Sequence, residues 1–398
     1  METLLTIDQR NAVLLSMARL VDEEKQIILK ANTLDMEAYD KHDLAMYDRL
    51  KVDEEKIEGM VLSLQQLANQ DDPVGVERFH FTHQNGLEIY NKTASFGTIM
   101  IIYESRPDVT IEAGGIAFKS GNKILLKGGK EALNSNLAIV DLWHKALAEN
   151  DCSSDWVTYL NYNREKTREF LRNPDQKIDL IIPRGGEKLI AFVKEHATCP
   201  VIVSGRGNNF VYVASDADKV KAIEIIINAK TAKISACNAV DKVLIAKELP
   251  GYELFIKELI EKLNIEKVTV LASGEISKFP GVEKTEDESL WYKEFLDYKI
   301  LLGSVDSINE AISTINTYGG GHSASIVSEN AKEVDYFLSA VDAAAVYHNA
   351  STRFTDGFQF GLGGELAIST DKLHQRGPIG LQHLVTNKWY VYGNGQIR

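Results

Sequence analysis

Residues 123–150 read KILLKGGKEALNSNLAIVDLWHKALAEN. A short continuous apolar run meets a Gly-Gly turn between Lys127 and Lys130, and an amphipathic helix of about five turns follows. A strand without polar alternation is buried on both faces, so this stretch predicts one βα unit of a covered parallel sheet. The same order recurs at 178–196, IDLIIPRGGEKLIAFVKEH, where the strand ends in Pro183-Arg184-Gly185-Gly186 at a helix start. Upstream, GTIMIIYESRPDVT (97–110) is an apolar strand stopped by Pro107, with Asp108 or Thr110 placed to start the next helix. Downstream, PVIVSGRGNNFVYV (200–213) gives two short strands, and DADKVKAIEIIINAKTA (216–232) is a helix expected to cross between domains. Beyond it VDKVLIA, YELFIKELIEKLN and KVTVLAS restart the alternation as a second α/β layer.

The flanks differ in character. Leu4 to Ala38 carries helical spacing behind a Thr6/Gln9 capping box, and helix continues to about Asn69 before Asp71-Asp72-Pro73 breaks it. The strand-like Gly86 to Tyr90 predicts a hairpin arm, and the alternating tail TNKWYVYGNG (386–395) predicts an exposed strand in need of a partner edge.

At 398 residues the chain calls for two or three domains. Hydrophobic residues at 44% and charged residues at 25% describe an ordinary globular protein. A net charge of −13 argues against general nucleic-acid binding, since phosphate backbones need a basic face. Any anionic substrate must therefore meet local positive charge. Three cysteines, Cys152, Cys199 and Cys237, are widely spaced without C-x-x-C, against both a disulfide framework and a metal site. The N-terminus lacks a secretory pattern and no apolar run reaches membrane-spanning length, so a cytoplasmic location without membrane contact is expected.

Cys237 lies in NAKTAKISACNAVDKVLI (228–245), between a helix and a strand and among small residues. Such a thiol reads either as a presented nucleophile, with backbone N–H groups and Asn238 beside it, or as a small buried hydrophobe. The two glycine turns read either as anion cradles at helix starts or as plain tight turns.

YESRPDVT (103–110), KSGNKILLKGGKEALNSN (119–136), IDLIIPRGGEKLI (178–190), the Cys237 stretch and VYHNASTRFTDGFQFGLGGELAISTDKLHQRGPIGL (346–381) closely resemble the gamma-glutamyl phosphate reductase family. These enzymes, also called glutamate-5-semialdehyde dehydrogenases, belong to the aldehyde dehydrogenase superfamily. The resemblance implies an α/β fold of two open, mostly parallel domains plus a small β oligomerisation arm. Mapped onto this chain, it implies a nucleotide domain over 1–227 with the arm near 76–96. A catalytic domain would cover 228–372, and 373–398 would complete the arm. It implies NADPH-dependent reduction of L-glutamyl 5-phosphate to L-glutamate 5-semialdehyde, the second step of proline biosynthesis, through a thioester on Cys237. A homo-oligomer of at least two copies and a functional coupling to glutamate 5-kinase are also implied.

Acid-forming relatives use a glutamate in an E-L-G-G turn to hydrolyse the thioester; here the turn is Val203-Ser204-Gly205-Arg206, which disfavours hydrolysis. The superfamily's oxyanion asparagine is replaced by Ser105, and Arg106 is placed either to hold the leaving phosphate or to pair with Glu104 or Asp108. Lys127, Gly128, Gly129, Lys130, Arg184, Gly185, Gly186 and Glu294 are the implied cofactor residues. Lys130, standing where NAD-preferring members often carry an acid, favours a 2′-phosphate. For the substrate's polar ends the chain offers Asn349, Ser351, Thr352 and Arg353, with His322 as a secondary candidate. The rival readings are an acid-forming semialdehyde oxidase, a catalytically silent nucleotide-binding scaffold and a redox-sensing thiol protein.

Overall fold

The computed structural model describes residues 4–40, 44–372 and 375–398, which fold as two units. The first comprises 1–203, 361–367 and 379–398; the second comprises 204–360 and 368–378.

Within the first unit, strands Val157–Tyr159, Lys123–Lys127, Thr98–Tyr103 and Leu180–Arg184 form a parallel sheet in that order. Successive strand residues point to opposite faces. Accordingly Ile99, Ile101 and Tyr103 join a core shared with Phe118 and Trp143, while Met100 and Ile102 join one with Phe170 and Val193. Burial on both sides is the reason that, after the half-buried Thr98 at its start, TIMIIY carries no polar group before its tyrosine hydroxyl. Helices Ile7–Glu23, Lys25–Ala38 and Glu54–Ala68 lie with Val109–Lys119 and Leu133–Glu149 on the first of these faces. The opening helix starts at the expected capping box: Gln9 N–H donates to Thr6 Oγ1 at 3.3 Å and Thr6 N–H to Gln9 Oε1 at 3.0 Å. A separate antiparallel sheet joins Glu77–Thr82, Glu88–Ser95 and Val385–Tyr392, so the hairpin arm and the tail strand pair with each other.

The second unit holds a seven-stranded parallel sheet. Its order is Val282–Lys284, Thr269–Ala272, Lys299–Val305, Val240–Ala246, Asn209–Val213, Ser323–Val327, Ala345–His348. Again the faces alternate, with Val211, Val213, Val243 and Ile245 in one core and Phe210, Tyr212, Leu244 and Ala246 in another.

The expected division at 227/228 falls instead at 203/204. Asn209–Val213 hydrogen bonds between Val240–Ala246 and Ser323–Val327, so it belongs to the second sheet. Helix Lys219–Thr231 does not cross between domains: it connects two neighbouring parallel strands of one sheet, which requires a crossover packed on that sheet. The expected change at 372/373 falls instead at 378/379, with 361–367 also in the first unit; Leu373 and His374 themselves lie outside the described residues. No helix among the described residues is long and apolar enough to cross a membrane.

Candidate functional site

Helix Lys219–Thr231 ends in a tight turn over 232–239 that delivers Cys237 just before the buried strand Val240–Ala246. The turn is held from below by Asn209. Its fully buried side-chain amide is shared among the carbonyls of Gly207 (2.9 Å), Cys237 (2.7 Å) and Ala239 (2.7 Å). A buried amide so engaged fixes three backbone groups at once. Gly207 is required for steric reasons, because a Cβ there would stand 1.8 Å from the Cys237 carbonyl oxygen. The same glycine donates its N–H to Glu294 Oε1 at 3.1 Å. Glu294 is thereby brought one residue's width from the cysteine turn.

On its other side the turn meets residues 351–355. Thr352, fully buried, donates its hydroxyl to the Asn238 carbonyl at 2.7 Å. Asn238 Nδ2 donates back to the carbonyls of Arg353 (3.2 Å) and Thr355 (2.9 Å). Ser351 Oγ accepts the Arg353 N–H at 3.3 Å and caps the short turn. These bonds present Arg353 beside Cys237. The guanidinium is half-buried, and its Nε and Nη1 have no hydrogen-bond partner among the described residues. Burial lowers its pKa, opposed by the nearby negative charges of Cys237 and Asp356. Unmatched donors on a desolvated cation next to a thiol make a receptor for an anion.

Several expected contacts change character. Asn238 has both amide hydrogens committed to carbonyls, so it holds the Arg353 turn and has none left for an oxyanion. Thr352 and Ser351 likewise meet backbone and not an open site. Asn349 is corrected outright: its Oδ1 accepts Ser328 N–H and its Nδ2 donates to Ser328 O, locking the loop after strand Ser323–Val327. His322 is 1% exposed, bonded through Nδ1 to Ser323 Oγ, and burial pushes its pKa down to about 4. It therefore stays neutral inside the unit.

Residues of the first unit show a second set of corrections. Ser105, buried with φ of 41°, donates both its N–H and its hydroxyl to Glu131 Oε1 at 2.9 and 2.8 Å. Its hydroxyl is thus taken and does not replace the superfamily's asparagine as an open donor. Arg106 makes the alternative contact foreseen for it, a long 3.5 Å approach to Asp108. Both helix starts already hold a carboxylate of the chain. Asp35 accepts the N–H groups of Asn134 and Ser135 at the start of Leu133–Glu149. Glu104 Oε2 accepts Gly186 N–H at 3.0 Å at the start of Glu187–His196.

A dinucleotide is tested against these residues by what their donors face. Lys127 is half-buried, its ammonium pulled below the usual lysine range by burial and donating to Gly128 O at 2.6 Å. Lys130 is exposed, and no carboxylate among the described residues pairs with it. Gly128 allows Asn136 to approach within 2.1 Å of where a Cβ would be. Lys127 and Lys130 flank this turn, with the Glu131 carboxylate packed beside Gly129, and the two ammonium groups are its candidates for meeting an anionic group. At Gly185 and Gly186 the cradle already holds the Glu104 carboxylate, which accepts the Gly186 N–H and packs where a Gly185 Cβ would stand. The residues that sequence reasoning missed are Gly207, Asn209 and Thr355; the Asn208-Asn209 pair at a strand mouth was the available signal.

A model of the aldehyde dehydrogenase family matches residues 3–273. The gamma-glutamyl phosphate reductase of Clostridium botulinum (strain Alaska E43 / Type E3) is 44% identical over 400 residues, covering 99% of this chain and 95% of that protein. That of Enterococcus faecalis is 42% identical over 397 residues, covering 98% and 94%. Among solved structures, gamma-glutamyl phosphate reductase from Thermotoga maritima superposes with a TM-score of 0.94 at 39% identity, covering 99% of this chain and 95% of that one. An acetylating aldehyde dehydrogenase from Geobacillus thermoglucosidasius shares the fold, with a TM-score of 0.70 at 16% identity over 99% and 93%.

Proposed function

This chain belongs to the aldehyde dehydrogenase family and, within it, to the gamma-glutamyl phosphate reductases, and from that premise we propose that it reduces L-glutamyl 5-phosphate to L-glutamate 5-semialdehyde with NADPH through a thioester on Cys237. The observation that carries the reading is the cysteine turn held by Asn209 with the unmatched guanidinium of Arg353 beside it.

Cys237 Sγ attacks the acyl carbon, the carbon–oxygen bond to phosphate breaks, and phosphate leaves with that electron pair. Arg353 receives the carboxylate of the substrate and sets the acyl carbon over the thiol. Lys127, Lys130 and Glu294 would hold a reduced nicotinamide dinucleotide, which would supply the hydride that reduces the thioester carbon. The carbon–sulfur bond then breaks, releasing aldehyde and the Cys237 thiolate. The turn Val203-Ser204-Gly205-Arg206 provides no carboxylate to activate water, which preserves the thioester for reduction. Run in reverse, oxidation of glutamate 5-semialdehyde by NADP is expected to require inorganic phosphate as acyl acceptor. Steady turnover without phosphate would instead favour an acid-forming oxidase.

Lys130 gives the cofactor preference its test. Lys130→Glu is expected to lower the NADPH/NADH ratio of kcat/KM by about tenfold or more, from lost attraction and added repulsion at a 2′-phosphate. An unchanged ratio places that selectivity elsewhere.

The small antiparallel sheet supports self-association. Phe79 and Phe81 (49% and 48% exposed) lie on one face with Trp389 (55%), and Phe79 sits 5.9 Å from Trp389. A contiguous exposed aromatic patch marks an interaction surface. Phe81→Glu with Trp389→Glu is expected to shift sedimentation from an oligomer towards monomer; a wild-type chain that sediments as monomer would refute the assignment.

A further inference from the structure

Every residue of strand Val240–Ala246 is buried, yet its second and third positions are charged: Asp241 is 2% exposed and Lys242 fully buried. Buried charges persist only where specific partners hold them. Asp241 Oδ1 accepts Lys230 Nζ at 2.8 Å, and its Oδ2 accepts the backbone N–H of Phe295 at 2.8 Å. Lys242 Nζ donates to the carbonyl of Lys293 at 2.8 Å and lies 3.9 Å from the centre of the Phe295 ring. The gripped backbone groups flank Glu294 on both sides, in a segment without regular secondary structure. A local 3.3 Å bond from Lys293 N–H to the Leu290 carbonyl holds one end of that segment, and the strand following the cysteine turn grips it on both sides of Glu294. Glu294 meanwhile reaches Gly207, whose backbone touches the Cys237 carbonyl.

We propose that Asp241 and Lys242 are positioning residues that fix the Glu294 carboxylate in register with the Cys237 turn for contact with the nicotinamide-side ribose of the dinucleotide. This rests on the reading of Glu294 as a cofactor residue, which the family resemblance places at the nicotinamide-side ribose. One strand thereby sets the place of both the acylated sulfur, through the preceding turn, and the group that aims the hydride donor. Slack in the Glu294 segment weakens the cofactor contact while leaving the thiol where it is.

The test is a double-mutant cycle on the full-length protein, Lys242→Met against Glu294→Gln, read by NADPH binding through its fluorescence. Lys242→Met is expected to weaken binding about tenfold in the wild-type background and by less than about twofold once Glu294 is already glutamine, because both changes act through one carboxylate. Amide exchange at Phe295 should quicken, and alkylation of Cys237 without cofactor should stay within about twofold. Lys242→Gln, which keeps an N–H donor, should recover part of the affinity, and it replaces Lys242→Met should that variant fail to fold. Independent, multiplicative effects would overturn the inference, as would a Lys242 variant that binds NADPH like wild type while Glu294→Gln binds weakly. Should Glu294→Gln itself bind normally, the ribose assignment falls and carries the inference with it.

Discussion

Replacing Cys237 with serine is expected to lower turnover by at least about a thousandfold while leaving the unfolding midpoint unchanged. The sulfur is the only group in the turn able to act as both nucleophile and leaving group near neutral pH, and a serine hydroxyl ionises far less readily. The turn is held through its backbone carbonyls. Asn209 binds the Cys237 carbonyl and Thr352 binds the Asn238 carbonyl, and both contacts survive the substitution. Retention of activity in a folded Cys237→Ser protein would return the scaffold reading; a loss of fold would mean that the sulfur packs structurally.

Arg353→Met carries the second large effect. Two charge-assisted hydrogen bonds to a carboxylate contribute about 1.5–3 kcal/mol each, so kcat/KM for the acyl phosphate is expected to fall on the order of a hundredfold or more. The distinctive part concerns stability. Nε and Nη1 have no partner among the described residues, so removing them orphans no described group, and the unfolding midpoint should hold or rise. Arg353→Lys should rescue poorly, because an ammonium cannot reproduce the two-pronged geometry. A variant that loses stability in step with activity would identify Arg353 as a structural anchor.

The α/β architecture was legible because strands covered on both faces leave a continuous apolar run, as at Ile99 to Ile102, and because glycine turns punctuate strand ends at 128–129 and 185–186. The position of Cys237 in a turn between a helix and a strand was legible from the small residues around it. The boundary was not legible, since nothing local to Asn209–Val213 reveals that its hydrogen-bond partners are Val240–Ala246 and Ser323–Val327. Ser105 was misread for a similar reason: its acceptor, Glu131, is a tertiary neighbour supplied by the following βα unit. Asn349 looked like a substrate group because polar residues before a glycine-rich segment suggest a site, whereas the loop after Val327 needed its amide. Asp241 and Lys242 did leave a trace. Adjacent opposite charges inside an otherwise apolar strand must both find buried partners, which is a sign that the strand holds something else in place.

The most direct measurement of acyl transfer through Cys237 is peptide mass spectrometry on protein treated with glutamate 5-semialdehyde and NADP in phosphate-free buffer. A glutamyl adduct on the peptide containing Cys237, formed with one equivalent of NADPH and discharged when phosphate is added, is the predicted result. An adduct confined to Cys152 or Cys199, or NADPH formed with no adduct on any cysteine and no response to phosphate, would contradict it.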